Sequence, residues 1–305
     1  MTHPLRLGSR GSPLALTQAR MAADALRAAH GWGEEAIEIV PVVTSGDRIQ
    51  DRPLAEIGGK ALWTKELDIA LADGRIDAAV HSMKDVETFR PAEITIAAML
   101  PRADVRDRLI GADSIAALPP HARVGTASPR RTAQLRRERP DIEITLLRGN
   151  VATRLGRLEA GEFDATLLAS AGLDRLGQGD IGTPVPITTM LPAPAQAAIG
   201  LETLTANEAV RALLAAIDHR PTSACVFAER TLLAALGASC RSPIAALAVE
   251  EGHALRLRAE LLSEDGRECV FGETRLAGGG MAEATALGHD LLRRASPALR
   301  ALFDE

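Results

Sequence analysis

The sequence contains three turns that are rich in arginine, at positions 7–13, 124–131 and 146–154. Each turn joins an apolar, strand-like run to a predicted helix. Open backbone N–H groups at a helix start, hydroxyl groups and guanidinium groups all bind anions. The turns supply these candidate anion ligands: Arg10, Ser12, Thr126, Ser128, Arg130, Arg131, Arg148 and Arg154.

Positive charge is concentrated in one part of an acidic chain. The whole sequence has a formal net charge of −5, whereas positions 123–154 contain eight arginine and three acidic residues. This contrast predicts a site for a ligand with several carboxylate or phosphate groups.

One carboxylate stands close to these basic groups in the predicted architecture. Asp85 follows Lys84 at the end of a predicted strand, where ligands gather in open α/β sheets. A carboxylate there could stabilise a cation or move protons, although a solvated ion pair would explain the same residues. His81, on the strand itself, is interpreted as structural.

Cys240 is the candidate reactive thiol. It lies in a loop beside Arg241, whereas Cys225 and Cys269 fall on apolar faces of a predicted helix and strand and are expected to be buried. The seven histidines are scattered without metal-ligand spacing, so no metal site is predicted.

The elements that must position these residues alternate between strands and helices over the first two-thirds of the chain, which is typical of parallel α/β layers. A linker is predicted at 101–107 and a second α/β block after it. Ser12, Ser128 and Asn150 are expected to begin helices. Beyond Pro221, a long helix, two or three alternating strands and a closing helix predict a small α+β domain.

The composition excludes several classes of protein. No apolar run approaches the roughly 20 residues that span a bilayer. An odd number of cysteines, three, argues against a disulfide framework and predicts a cytoplasmic protein. An aromatic fraction of 2% makes nucleic acid an unsuitable partner, because stacking platforms are missing.

The collected segments resemble the porphobilinogen deaminase family, also called hydroxymethylbilane synthase, over nearly the whole chain. The matching segments are 10–16, 58–60, 65–67, 77–85, 124–126, 130–131, 147–151, 153–154, 171–173 with Arg175, and Cys240 with 243–244.

The resemblance implies two periplasmic-binding-protein-like α/β lobes around a cleft, plus a small C-terminal α+β domain. The implied ranges are 1–100 and 198–218 for lobe 1, 105–194 for lobe 2, and 221–305 for the third domain. It further implies a dipyrromethane cofactor attached to Cys240 through a thioether. A monomer is expected on a separate ground, since no long apolar surface helix suggests an obligate partner. Four porphobilinogen units would be joined head to tail on this primer, each losing ammonia, before water releases the linear tetrapyrrole of haem biosynthesis.

The same resemblance implies roles for individual residues. Asp85 would be the catalytic group. The cofactor contacts would be Lys84, Thr126, Ser128, Arg130 and Arg131, and the substrate contacts would be Arg10, Ser12, Lys60, Arg148, Arg154 and Arg175.

One departure from the family pattern concerns the crossover between the lobes. The segment Ala195-Gln196-Ala197-Ala198 stands where Gly-Gln-Gly-Ala is usual. Losing two glycines is expected to stiffen the segment or to forbid a positive φ there.

Two other classes of function would fit part of the pattern. A non-catalytic two-lobe protein that binds anions or senses an effector would explain the arginine turns, but not Cys240 or Asp85. A phosphate-ester transferase would require metal-binding carboxylates that the sequence does not show.

Overall fold

The computed structural model describes residues 3–43, 61–238, 242–277 and 280–303. Two predicted site residues, Lys60 and Cys240, therefore lie outside the described residues. The described chain divides into two compact units, Met1–Ala103 with Ala197–Ala224 and Asp104–Gln196 with Cys225–Glu305. No helix in the described ranges combines the length and apolar character needed to cross a membrane.

The strands, in chain order, are β1 (Leu5–Arg10), β2 (Ile37–Val42), β3 (Ala78–Ser82), β4 (Ile94–Met99), β5 (Asp107–Ile110), β6 (Arg123–Gly125), β7 (Glu143–Thr145), β8 (Ala165–Ala169), β9 (Thr183–Pro184), β10 (Ile199–Leu204), β11 (Ile244–Glu251), β12 (Ala254–Leu262) and β13 (Cys269–Leu276). The α-helices are α1 (Pro13–His30), α2 (Ala61–Ala72), α3 (Pro129–Glu138), α4 (Val151–Glu159), α5 (Ser170–Arg175), α6 (Glu208–Ala215), α7 (Arg220–Ala235), α8 (Met281–Arg294) and α9 (Pro297–Arg300).

The first unit contains a five-stranded sheet with the order β2-β1-β3-β10-β4. β1 is parallel to β2 and β3, whereas β10 runs antiparallel to β3 and β4. The carboxyl ends of β1 and β3 therefore meet at one edge, which we call the carboxyl edge of the first sheet. β10 begins at this edge, because Ile199 lies opposite Ser82. Leu7, Leu26 and Leu201 are fully buried in the core that α1 forms with this sheet.

The second sheet, in the second unit, repeats this plan with the order β7-β6-β8-β5-β9. β6 is parallel to β7 and β8, and β5 is antiparallel to β8 and β9. The carboxyl edge of the second sheet is the edge at which β6, β7 and β8 end. β5 begins there, because Asp107 lies opposite Ala169. The predicted linker at 101–107 is therefore wrong at Asp107, which begins β5, a short strand that the sequence does not predict because it starts with the charged pair Asp107 and Arg108.

The third sheet is the antiparallel sheet β11-β12-β13, also in the second unit. α7 and α8 cover it and share a core in which Leu232, Leu257 and Leu291 are fully buried. The fold class is thus confirmed, with two α/β sheets of the same topology and a small C-terminal α+β sheet. The three-domain boundaries stay a prediction, because the second and third sheets fall into a single compact unit.

The helix starts follow the predicted local signals. Ser12 and Ser128 each precede a proline at the first helical turn, and their hydroxyls accept hydrogen bonds from the backbone N–H groups of Ala15 and Arg131. The Asn150 side chain accepts from the N–H of Thr153. Each side chain satisfies one backbone donor that a helix start leaves open.

The crossover segment contradicts one of the two expectations drawn from its alanines, that a positive φ is forbidden there; the other, that the segment is stiffer, stays a prediction. Ala195 and Ala197 have φ values of 59° and 71°, in the left-handed region that costs an L-residue about 1–2 kcal/mol. The Ala195 N–H donates to Glu229 Oε2 at 2.5 Å, and Gln196 Nε2 donates to Val105 O at 2.8 Å. Ala195, Gln196 and Ala197 are all buried. These bonds and this burial hold a conformation that alanine alone disfavours.

We expect Ala195→Gly and Ala197→Gly each to raise the free energy of unfolding by about 0.5–1 kcal/mol, because glycine adopts positive φ without a Cβ clash. Urea denaturation measures the change. Ala198→Gly is the matched control, since Ala198 is buried beside them without a positive φ, and it should lower stability. If Ala195→Gly and Ala197→Gly also lower stability, the positive φ of these alanines is not a source of backbone strain.

Candidate functional site

The carboxyl edge of the first sheet carries Arg10, Ser12, Lys84 and Asp85. Arg10 ends β1, and Ser12 caps the helix that follows it. Lys84 and Asp85 belong to a 3₁₀ turn, Met83–Asp85, that directly follows β3. Because β1 and β3 are parallel neighbours, the sheet brings these four predicted residues to a common edge.

Several contacts hold the Met83–Asp85 turn in place. The Met83 N–H donates to Ala198 O at 3.0 Å, and the Val86 N–H donates to Met83 O at 3.2 Å. The Ser82 hydroxyl and the Gln18 side-chain amide lie 2.8 Å apart, so α1 is tied to the end of β3. Met83 is buried, whereas Lys84 and Asp85 remain partly exposed. The turn therefore leaves a carboxylate and an ammonium group partly exposed at this edge of the sheet.

The carboxyl edge of the second sheet contains a buried ionic cluster. Asp107, Arg130 and Arg131 are each at most 6% exposed. Asp107 Oδ2 accepts from Arg130 Nη2 at 2.8 Å, and Asp107 Oδ1 accepts from Arg131 Nη2 at 2.7 Å. Burial acts to raise the pKa of Asp107, but the charges and hydrogen bonds of the two arginines outweigh it and hold the pKa far below its usual range. Two guanidinium groups thus share one carboxylate, and the cluster keeps a net positive charge.

Arg130 and Arg131 were predicted to contact the cofactor directly, yet much of their donor capacity is directed into the protein. Arg131 Nη1 donates to Leu167 O at 2.8 Å, and Arg130 Nη1 donates to Leu191 O at 3.0 Å. Arg130 Nε is buried without a hydrogen-bond partner among the described residues. The sequence does not predict that Asp107 joins these two arginines, because they are distant from it in the chain and no local motif marks it.

The other predicted residues of this unit lie at the same edge. Thr126 and Ser128 follow β6, and the Ser128 N–H donates to Thr126 Oγ1 at 3.1 Å. Arg148 and Arg154 follow β7, the parallel neighbour of β6. Arg154 Nε donates to Gly149 O at 2.9 Å. The turn requires glycine at position 149, where φ is 116°.

Arg175 completes this set at the end of α5, the helix that follows β8. Burial lowers the pKa of Arg175 to about 10, although nearby Asp174 acts to raise it. A ligand carboxylate would favour the charged form of such a buried guanidinium. The buried Nε of Arg130, the surplus charge around Asp107 and the desolvated Arg175 together fit a ligand that bears several carboxylates.

The cysteines are only partly as predicted. Cys225 is buried, but Cys269 is exposed, with its Sγ 3.4 Å from Arg137 Nη1. Cys269 lies on β13, the edge strand of the third sheet, where alternate residues face solvent. The prediction that Cys269 is buried is therefore wrong.

Comparison with known proteins decides the family. A family model described as "Porphobilinogen deaminase, dipyromethane cofactor binding domain" matches residues 5–212, and "Porphobilinogen deaminase, C-terminal domain" matches residues 223–295. The chain belongs to the porphobilinogen deaminase family. It is therefore an enzyme, a transferase with hydroxymethylbilane synthase activity in porphyrin and haem biosynthesis, and dipyrromethane is its cofactor. The alternative of a non-catalytic anion-binding protein is not favoured.

Two curated relatives carry the same name over nearly their full lengths. The porphobilinogen deaminase of Sphingopyxis alaskensis is 58% identical over 99% of this chain and 97% of the relative. That of Paracoccus denitrificans is 48% identical over 97% of this chain and 96% of the relative. Among solved structures, the BvgS VFT2 domain of Bordetella pertussis has a TM-score of 0.40 at 15% identity, over 70% of this chain and 85% of that domain. The fold assignment rests on the chain's own sheets and not on this last likeness.

Proposed function

We propose that Asp85 is the catalytic carboxylate of the synthase reaction and that the arginine-rich edge of the second sheet binds the carboxylates of the cofactor and the growing chain. The observation that carries this proposal is positional. Every predicted site residue that the structure describes either ends a strand or lies in the turn or helix that follows the carboxyl end of a strand, the side of a sheet on which α/β proteins bind their ligands.

The residues divide into two binding roles. Cys240 would hold the dipyrromethane through its thioether. Lys84, Thr126, Ser128, Arg130 and Arg131 would hold its carboxylates, with Arg130 and Arg131 acting mainly through charge, since Asp107 already occupies several of their N–H groups. When bound, the dipyrromethane supplies the pyrrole carbon on which the chain starts.

The substrate contacts would use the same chemistry. Porphobilinogen is the substrate of the family, and it carries an acetate and a propionate group. Each hydrogen bond from arginine to a carboxylate contributes about 1.5–3 kcal/mol. A set of such contacts can hold a chain that gains two carboxylates at each step. The proposed contacts are Arg10, Ser12, Lys60, Arg148, Arg154 and Arg175.

Asp85 would act on charge that develops during each addition. The C–N bond of the protonated aminomethyl group of porphobilinogen breaks and ammonia leaves with the bonding electron pair, so the positive charge passes to the substrate carbon and the pyrrole nitrogen. A carboxylate already positioned beside this charge stabilises it without reorganisation. A C–C bond then forms to the terminal pyrrole carbon, which must lose its proton, and Asp85 can accept that proton and pass it to solvent.

Intact mass under denaturing conditions tests the cofactor site. The purified protein should exceed its polypeptide mass by one dipyrrole, and Cys240→Ser should lose the excess. Cys269→Ser is the matched control, because Cys269 is an exposed thiol in the same unit, and it should keep the excess. A bare polypeptide mass that does not change after incubation with porphobilinogen would overturn the proposal.

The remaining expectations also stand as proposals. We infer that the protein acts as a monomer in the cytoplasm. We also propose three domains, which the separate third sheet and the match of a C-terminal family domain to residues 223–295 support.

A further inference from the structure

A buried ionic cluster outside the anion-binding residues surrounds Arg90 in the first unit. The Arg90 side chain is 7% exposed, and Glu202, on β10, is fully buried. Arg90 Nε donates to Glu202 Oε1 at 2.9 Å, and Arg90 Nη2 donates to Glu202 Oε2 at 2.9 Å. This is a bidentate pair, the geometry that makes arginine–carboxylate contacts directional.

The same guanidinium binds two further carboxylates. Arg90 Nη1 donates to Glu87 Oε2 at 2.9 Å, and Arg90 Nη2 donates to Asp68 Oδ1, on α2, at 2.5 Å. Glu87 also accepts from the Thr64 hydroxyl, on α2, at 3.1 Å. The segment after the Met83–Asp85 turn is thereby fastened to a helix and to a strand of the first sheet.

The strand that precedes the turn contacts the same carboxylate. His81, on β3, has its Nε2 at 3.2 Å from Glu202 Oε2 and is buried. Burial acts to raise the pKa of Glu202, but the nearby His81 and Arg90 outweigh it and lower the pKa to about 2. Glu202 thus stays ionised and joins both flanks of the turn that carries Lys84 and Asp85.

We propose that Arg90 is a positioning residue, which fixes Asp85 by bridging Glu87, two residues beyond it, to the buried Glu202. The inference rests on the catalytic role proposed for Asp85. Without the guanidinium, three carboxylates would face one another in a largely buried place, and repulsion would move the segment that follows the turn. A displacement of about 1 Å at a reacting group can lower a rate about 100-fold.

Arg90→Gln tests this role through a double-mutant cycle with Asp85→Asn. Intact mass first selects protein with a full cofactor load. Arg90→Gln should then lower kcat by about 10- to 100-fold with KM unchanged. In the Asp85→Asn background the same substitution should have almost no further effect, because a residue that acts through Asp85 has nothing left to position.

Arg6→Gln is the matched control. It breaks the Arg6–Asp77 ion pair, 2.8 Å long, at the opposite edge of the same sheet, and should lower the melting temperature without changing kcat. If Arg90→Gln does not fold, Arg90→Lys keeps the charge but cannot bridge the carboxylates, and it enters the same cycle.

The outcomes separate the two proposals. The positioning role of Arg90 is overturned if the Arg90 variant keeps its full kcat. It is also overturned if the loss of kcat in the double variant equals the sum, in free energy, of the two single losses. Either result leaves the proposed catalytic role of Asp85 intact. Undiminished kcat in Asp85→Asn alone overturns the assignment of Asp85 and this inference with it.

Discussion

Replacing Asp85 by alanine is expected to lower turnover by about 10²- to 10⁴-fold while the protein still folds. The side chain is partly exposed on a turn that backbone hydrogen bonds of Met83 and Val86 define, so its removal leaves no buried cavity. Substitutions at such positions usually change stability by less than about 0.5 kcal/mol. Steady-state consumption of porphobilinogen measures the loss.

The pattern of the loss matters as much as its size. If Asp85 stabilises charge that exists only during reaction, kcat should fall while KM stays near its wild-type value. Asp73→Ala is the matched control, because Asp73 is an exposed acid of the same unit that follows α2, away from the turn. Wild-type turnover in Asp85→Ala would remove the carboxylate from the mechanism.

Local signals in the sequence predicted the parts of the site that depend on local structure. Ser12 and Ser128 stand before prolines, and Asn150 stands before an apolar helix face. Each of these caps depends on residues only a few positions away. The alternation of strands and helices then placed the residues that follow β1, β3, β6 and β7 at sheet edges, which the topology confirms.

The parts that could not be predicted depend on contacts between distant residues. Asp107 belongs to an ionic cluster through its contacts with Arg130 and Arg131. Glu202 does so through its contacts with Arg90 and His81. A carboxylate in a short, charged segment is predicted as a linker residue, because the sequence does not show which distant residues the folded sheet places beside it. Tertiary contacts can override local propensity in this way.

Backbone conformation at the crossover was wrongly predicted for the same reason. Alanine intrinsically disfavours positive φ, and Ala195 and Ala197 were judged by that preference. The bond from Ala195 to Glu229 joins residues far apart in sequence, and Glu229 also accepts from the Ala248 N–H at 2.8 Å. The Glu229 carboxylate therefore holds both the crossover and β11 in place, and no local sequence pattern predicts these two contacts.

The Asp107 cluster should dominate the stability of the second unit. Asp107→Asn leaves Arg130 and Arg131 buried without their shared carboxylate, which is expected to lower the free energy of unfolding by about 3–5 kcal/mol. Urea denaturation in a Cys240→Ser background measures this loss without a contribution from the covalent cofactor. Asp141→Asn is the matched control, because the Arg139–Asp141 pair is far more exposed, and its loss should be much smaller.

The pH dependence of stability follows from the same cluster. The pKa of Asp107 is far lower in the folded protein than in the unfolded chain, where it is about 3.9. Its contribution is therefore fully present above the unfolded pKa and is lost progressively as the pH falls below it. Asp107→Asn should accordingly lose less stability than its parent between about pH 4 and pH 2. Parallel pH profiles for the two proteins, or equal urea midpoints at neutral pH, would show that the arginines do not depend on this carboxylate.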